Sequence, residues 1–348
     1  MKKDNPFSLT FGKLPDRYIN RYEDMTEVVS MFDADHPVAQ TYLIQGVRGS
    51  GKTVFMTSIS KTLTENDHWM AIDLNVSYPL LHDMALRLND LCGERFDLGQ
   101  RGMNVSLGGV GFGIGNGSDE RDDVSLITRQ LEVLKKKEIR LLITIDEVVP
   151  GENLRTFVSQ FQIFLRQDYP VFLIMTGLYE NIYGIQNDPI LTFLLRSPKL
   201  TLEPLSIRQI VQEYRNSFGI DTEQARELAY ITDGYAFAFQ ALGMLMWEYK
   251  DSLSMEEIKM KLDDLLDDYV YKKIWEGMTK KEKEIILAIN GNDPVKTADI
   301  CEMTHSSAST FSKYKERLEK RGILASPSHG YVTVKLPRFC HVVQDYKM

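Results

Sequence analysis

Short runs of almost unbroken apolar residues recur through the first 200 positions of the chain: Tyr42-Leu43-Ile44, Met70-Ala71-Ile72-Asp73-Leu74, Leu141-Leu142-Ile143-Thr144-Ile145 and Val171-Phe172-Leu173-Ile174-Met175. Runs of this length without polar alternation are the mark of strands covered on both faces, as in a parallel sheet flanked by helices. Between them the period changes. Val54, Met56, Ile59 and Leu63 recur at near-helical spacing directly after the first run. Residues 206–275 are almost entirely helix-patterned, with one long apolar stretch at Ala236-Phe237-Ala238-Phe239-Gln240-Ala241-Leu242. The expected fold is therefore α/β, with a parallel-sheet core followed by an all-helical segment.

Two further segments have their own patterns. In the glycine-rich stretch 99–117, Val105, Leu107 and Gly109, then Val110, Phe112 and Ile114, alternate on either side of Gly108-Gly109, which predicts a β-hairpin inserted in the core. The end of the chain predicts three helices over 281–289, 297–303 and 307–321. Ser306 to Ser309 supply caps, and Gly322 stands in the favoured position just past the third helix. Ile323-Leu324 and Tyr331-Val332-Thr333-Val334 then form two strands around Ser326-Pro327-Ser328-His329-Gly330, the order of a winged helix. The organisation read from these patterns is a core over 1–202 carrying the 99–117 insert, a helical lid over 203–275 and a winged-helix domain over 276–348.

Composition narrows the class. The 348 residues suffice for two or three domains, and 43% hydrophobic with 26% charged residues is ordinary for folded domains. No long uncharged apolar window is present and Met1 to Pro6 leads into no apolar signal segment, so a cytosolic protein without membrane insertion is expected. The three cysteines, Cys92, Cys301 and Cys340, are far apart and form no CxxC pair, which argues against a zinc cage or a disulfide framework. The net charge of −8 hides an asymmetry, because residues 278–348 carry 12 Lys and Arg against 8 Asp and Glu. An acidic body with a basic tail restricts any contact with duplex nucleic acid to a local patch such as that tail.

The chemistry lies where the strands end. The first strand enters Gly46-Val47-Arg48-Gly49-Ser50-Gly51-Lys52-Thr53, followed by Val54 and the rest of a helix, which fits GxxxxGK[ST] in strand–loop–helix context. Glycines there let backbone N–H groups converge on phosphate oxygens, and the helix start adds the positive end of a dipole. Lys52 reaches the β and γ phosphates of ATP, and Thr53 ligates Mg²⁺. Asp146 emerges at the carboxyl end of the 141–145 strand, placed to hold Mg²⁺ through water, with Glu147 placed as the general base for the attacking water. Thr176, at the end of the 171–175 strand, is a candidate to bond the γ phosphate or that water. In the third tail helix Lys313, Arg317 and Arg321 suit phosphate contacts with duplex DNA, while Ser307, Ser309, Thr310 and Tyr314 near its start suit a groove.

In this order and spacing the elements resemble the AAA+ superfamily of P-loop ATPases, more narrowly the origin-recognition and initiator-like group. The resemblance covers nearly the whole chain. It implies that Tyr18-Ile19-Asn20-Arg21 with Glu27 corresponds to the segment that packs near the adenine, with Arg21 a nucleotide-binding candidate and Asn20 standing where the group usually has glycine. It implies a sensor-1 role for Thr176. It also makes Arg196, in Asp188 to Arg196, a candidate arginine finger acting across an ATP-dependent homo-oligomer. Thr232-Asp233-Gly234-Tyr235-Ala236 is similar to the glycine-x-proline motif of signalling relatives, with Ala236 in place of proline, and no sensor-2 arginine is evident. Two functions follow: a DNA-associated ATPase switch or assembly factor using ATP/ADP and Mg²⁺, or a STAND-like signalling ATPase whose winged helix is a regulatory docking module.

Overall fold

The computed structural model describes residues 4–10, 12, 14–96, 120–289, 291, 293–344 and 346; the 99–117 insert falls outside them. The chain divides into two compact units, one built from Glu23–Gln45 and Met56–Leu200, the other from Met1–Tyr22, Gly46–Phe55 and Thr201–Met348.

The first unit is organised by a five-stranded sheet in the order β2-β3-β4-β1-β5, with β1 Thr41–Gln45, β2 Trp69–Leu74, β3 Arg140–Ile145, β4 Val171–Gly177 and β5 Lys199–Thr201. The pairs β1–β4, β3–β4 and β2–β3 are parallel. Every residue of β1 and β4 is buried, which explains why their sequences lack alternation. Register sets the working edge: Ile145 lies opposite Met175, and Ile44 opposite Thr176, so β3, β4 and β1 end level with one another. Helices Leu80–Phe96, Glu120–Lys136 and Glu152–Arg166 supply Leu88, Leu131, Phe157 and Phe161 to the core around β3.

The second unit is helical, with a small sheet near the chain end. Helices Ile207–Phe218, Thr222–Thr232, Ala236–Tyr249 and Met255–Leu266 occupy the segment read as helix-patterned. Their starts are fixed locally: Ser206 accepts the Gln209 N–H, and Asp221 with Gln224 and Ser254 with Glu257 form capping boxes. Helix Ala236–Tyr249 buries Phe239, Leu242, Leu245 and Met246, in keeping with a sequence apolar on nearly all sides. The N-terminal segment straps onto it. Phe7 packs among Tyr214, Phe218 and Phe239 at centroid distances of 5.6–6.0 Å, and the Ser8 N–H donates to Gln240. A Cβ on Gly243 would lie well within 3.0 Å of the Phe7 ring, so only glycine admits this approach. Phe7→Ala is expected to cost about 3–5 kcal/mol, as for other buried phenylalanines. Urea unfolding of the full chain checks this, and a change below about 1 kcal/mol would show that the strap contributes packing area but little stability.

The last 70 residues form helices Lys280–Ala288, Thr297–Met303 and Ala308–Lys320, and an antiparallel sheet in the order β6-β8-β7. Here β6 is Val295–Lys296, β7 Leu324–Ala325 and β8 Tyr331–Val334. The pairing strand β6 has no counterpart in the sequence reading, and β7 begins one residue later than the pattern suggested. Gly322, with φ of 73°, closes the third helix as expected. These elements share one apolar core with the helices before them, running from Phe7 through Phe239 and Tyr271 to Val343.

Candidate nucleotide site

The chain leaves β1 at Gln45 directly into the glycine loop, and helix Lys52–Thr64 opens at the lysine of the motif. The loop's carbonyls can be followed one by one. Lys52 is buried, and its Nζ donates to the carbonyls of Gly46 and Val47, both at 3.1 Å. The Tyr235 phenol donates to the Arg48 carbonyl at 2.5 Å. The Phe237 N–H donates to the Gly49 carbonyl at 3.0 Å, and Arg21 Nη2 to that of Ser50 at 3.3 Å. The Gly51 carbonyl accepts the Phe55 N–H of the helix's first turn at 2.9 Å. Each carbonyl from Gly46 to Gly51 therefore has a donor.

Two glycines of the motif have left-handed backbones, Gly49 at φ 71° and Gly51 at φ 90°. At Gly49 the restriction is also spatial, since a Cβ would come within 3.0 Å of Phe237 Cβ and closer still to the Tyr235 ring and hydroxyl. Ser50 Oγ is buried without a hydrogen-bond partner among the described residues. Burial pushes the Tyr235 phenol well above the ordinary tyrosine range, partly opposed by the charge of Arg48, so the hydroxyl remains a donor throughout the neutral range.

In the sheet unit, the carboxylate pair and the threonine come together. Thr176 is fully buried at the end of β4, and its hydroxyl donates to Asp146 Oδ1. The Glu147 N–H donates to the same carboxylate oxygen at 3.0 Å and to Thr176 Oγ1 at 3.4 Å. Glu147 has φ of 52°, a conformation that costs a non-glycine residue of order 1 kcal/mol, and its side chain is exposed. The Val148 N–H donates to the Thr176 carbonyl at 2.8 Å, fixing the turn that follows β3. Arg196 is exposed at the end of the short 3₁₀ turn Thr192–Arg196 and makes no ion pair among the described residues.

Two arginines of the tail helix have a partner within the chain. Glu282 closes a capping box with Thr279 and is fully buried. Arg317 Nε and Arg321 Nη1 lie 3.3 and 3.4 Å from its Oε1. These two arginines therefore neutralise a buried carboxylate, a demand that comes before any external phosphate. Tyr314 is half-buried against the core. Ser307 caps the helix through the Thr310 N–H, and its hydroxyl also bonds those of Ser309 and Thr310. Lys313 is exposed and without an ion pair among the described residues.

Residues 268–342 match a family described as a domain of unknown function, DUF8462. No curated protein matches the sequence. Among solved structures, a Walker-type ATPase of Pyrococcus abyssi superposes with a TM-score of 0.64 at 14% identity, over 94% of this chain and 96% of that one. Cdc6p from Pyrobaculum aerophilum gives 0.51 at 15% identity, covering 96% of each chain. The ORC2 protein of Aeropyrum pernix, in ADPNP and ADP complexes, gives 0.50 at 14% identity, also over 96% of each. The chain shares the α/β fold of these three proteins.

The sequence reading missed Tyr235 and the Phe237 N–H as loop contacts. It singled out Gly234-Tyr235-Ala236, but for its similarity to the glycine-x-proline motif rather than for contact with the loop backbone. Among the described residues no three His, Cys, Asp or Glu side chains cluster as a metal site, and no helix is long and apolar enough to cross a membrane.

Proposed function

We propose that the protein is a nucleotide-controlled switch that binds ATP and ADP on Gly46–Val54 and hydrolyses ATP. The observation that carries this reading is the glycine loop, in which each carbonyl from Gly46 to Gly51 is bonded and two glycines have positive φ. The donor set suits the nucleotide: a buried ammonium for phosphate oxygens, an unpartnered Ser50 hydroxyl, and glycines where a side chain would fill the cradle. It also suits Mg²⁺, which takes few protein ligands alongside phosphates; the Thr53 hydroxyl and Asp146 carboxylate are hard oxygen donors of that kind. Mg²⁺ would neutralise charge on the phosphates. Glu147 is assigned the proton from the attacking water, Thr176 the orientation of Asp146 and of that water, and Arg196 the finger in a neighbouring copy.

We read the tail as a winged helix that reports on the loop. A Cβ built on Gly322 would lie 3.7 Å from Val47 Cβ, and Val47 packs against the apolar core to which the tail belongs, so the turn closing the third tail helix lies near the phosphate loop. That contact favours the regulatory docking role. The second reading, duplex DNA on the exposed face of helix Ala308–Lys320, rests on Lys313 and the hydroxyls at the helix start. ATP turnover and ADP release by the full chain, with and without duplex DNA at low and moderate salt, separate the two. Docking predicts rates indifferent to DNA. DNA binding predicts a salt-sensitive response, with log K falling by about 0.9 per phosphate contact for each unit of log salt. A chain that neither binds nor turns over ATP would sink both.

A further inference from the structure

The three carbonyls in the middle of the loop, Arg48, Gly49 and Ser50, are held from outside it: the first by a side-chain hydroxyl, the second by a backbone N–H of the lid, the third by Arg21. In a trans peptide the C=O and the following N–H point in opposite directions. Anchoring the Arg48 carbonyl towards Tyr235 therefore turns the Gly49 N–H to the other side of the loop, and anchoring Ser50 towards Arg21 does the same for Gly51. The Ser50 N–H is committed within the loop, to the Val47 carbonyl at 3.2 Å.

We infer that Tyr235 is a positioning residue of the phosphate loop: its buried hydroxyl holds the Arg48–Gly49 peptide in the orientation that aims the Gly49 N–H at a nucleotide's phosphates. The inference deepens the reading of Gly46–Thr53 as the phosphate site and rests on it. Tyr235 is itself held firmly. It is 5% exposed, and its ring stacks on Tyr271 at 6.2 Å and 21°. Tyr271 belongs to the π-helical turn Asp267–Tyr271, and its own hydroxyl donates to the Pro337 carbonyl at 2.5 Å. The next donor along the lid, the Phe237 N–H, fixes the adjoining Gly49 carbonyl, so the first turn of helix Ala236–Tyr249 and the Tyr235 phenol grip successive peptides. Removing the phenol leaves the Arg48 carbonyl without its donor and frees the Gly49 peptide to rotate.

Tyr235→Phe keeps the ring and deletes only the donor. ADP binding to the full chain, measured by calorimetry, is expected to weaken about three- to tenfold, the worth of one buried hydrogen bond. Tyr271→Phe is the control, because it deletes an equivalent buried phenol bond in the same core without touching the loop. It should lower the unfolding temperature by a similar amount yet leave the ADP dissociation constant within about twofold. Equal ADP affinity in parent and Tyr235→Phe overturns the inference, and so does equal weakening in the two variants. A measurement on the parent alone serves should Tyr235→Phe fold poorly: ADP should slow hydrogen exchange at the Phe237 amide, and indifference there overturns the inference too. A parent that binds no ADP overturns the phosphate-site reading itself, and this inference with it.

Discussion

Lys52→Ala is expected to weaken ATP and ADP binding by roughly 10²–10⁴-fold and to remove turnover with it. Two hydrogen bonds from an ammonium to phosphate oxygens, at about 1.5–3 kcal/mol each, set that scale. The structure adds a second reason. Lys52 Nζ bonds the carbonyls of Gly46 and Val47, so alanine takes a donor from the buried Gly46 carbonyl and one of two from Val47 while also removing the only lysine of the loop. Lys52→Arg separates these causes, because it keeps the charge but brings a planar fork that does not match the position of a compact ammonium. Titration of both variants with ATP and ADP in the presence of Mg²⁺ is the measurement, with circular dichroism to confirm folding. An alanine variant that folds and binds ATP as the parent does would reject the loop as a phosphate site.

The parts of the site legible in the sequence are those whose chemistry is contiguous. Gly46 to Thr53 could be read because the loop, its lysine and its helix start occupy eight consecutive positions, each with a separate physical reason. Asp146 and Glu147 could be read because an apolar strand ending in carboxylates is a local pattern, and the level ends of β3 and β4 then bring Thr176 to Asp146. What was not legible depends on residues far apart in the chain. Tyr235 reaches Arg48 across 187 positions, and nothing in its surroundings marks it as a loop contact rather than lid core. The partner of the tail arginines was not legible for a related reason: an arginine on a helix looks the same whether or not it faces a buried glutamate, and only the fold brings Glu282 to Arg317 and Arg321. Strand β6, two residues long, is too short to show alternation at all.

Glu147→Gln should leave ATP affinity within about twofold while lowering the hydrolytic rate by roughly 10²–10⁴-fold, the usual worth of a general base. Two of the contacts that shape the residue belong to its backbone and survive the substitution. The N–H bonds to Asp146 Oδ1 and Thr176 Oγ1, and the left-handed φ of 52°, do not involve the carboxylate. Glutamine keeps the length and shape of the side chain and loses only the capacity to take a proton from water. The expected product is a chain that retains ATP through gel filtration where the parent retains ADP, and single-turnover hydrolysis of labelled ATP measures the loss directly. Thr176→Val makes the companion test. It removes the hydroxyl that donates to Asp146 and accepts from the Glu147 N–H, so it should slow hydrolysis with smaller effect on binding. Normal turnover in Glu147→Gln would remove the base from this residue, and a coincident loss of ATP binding would mean that the carboxylate acts in the ground state rather than on the attacking water.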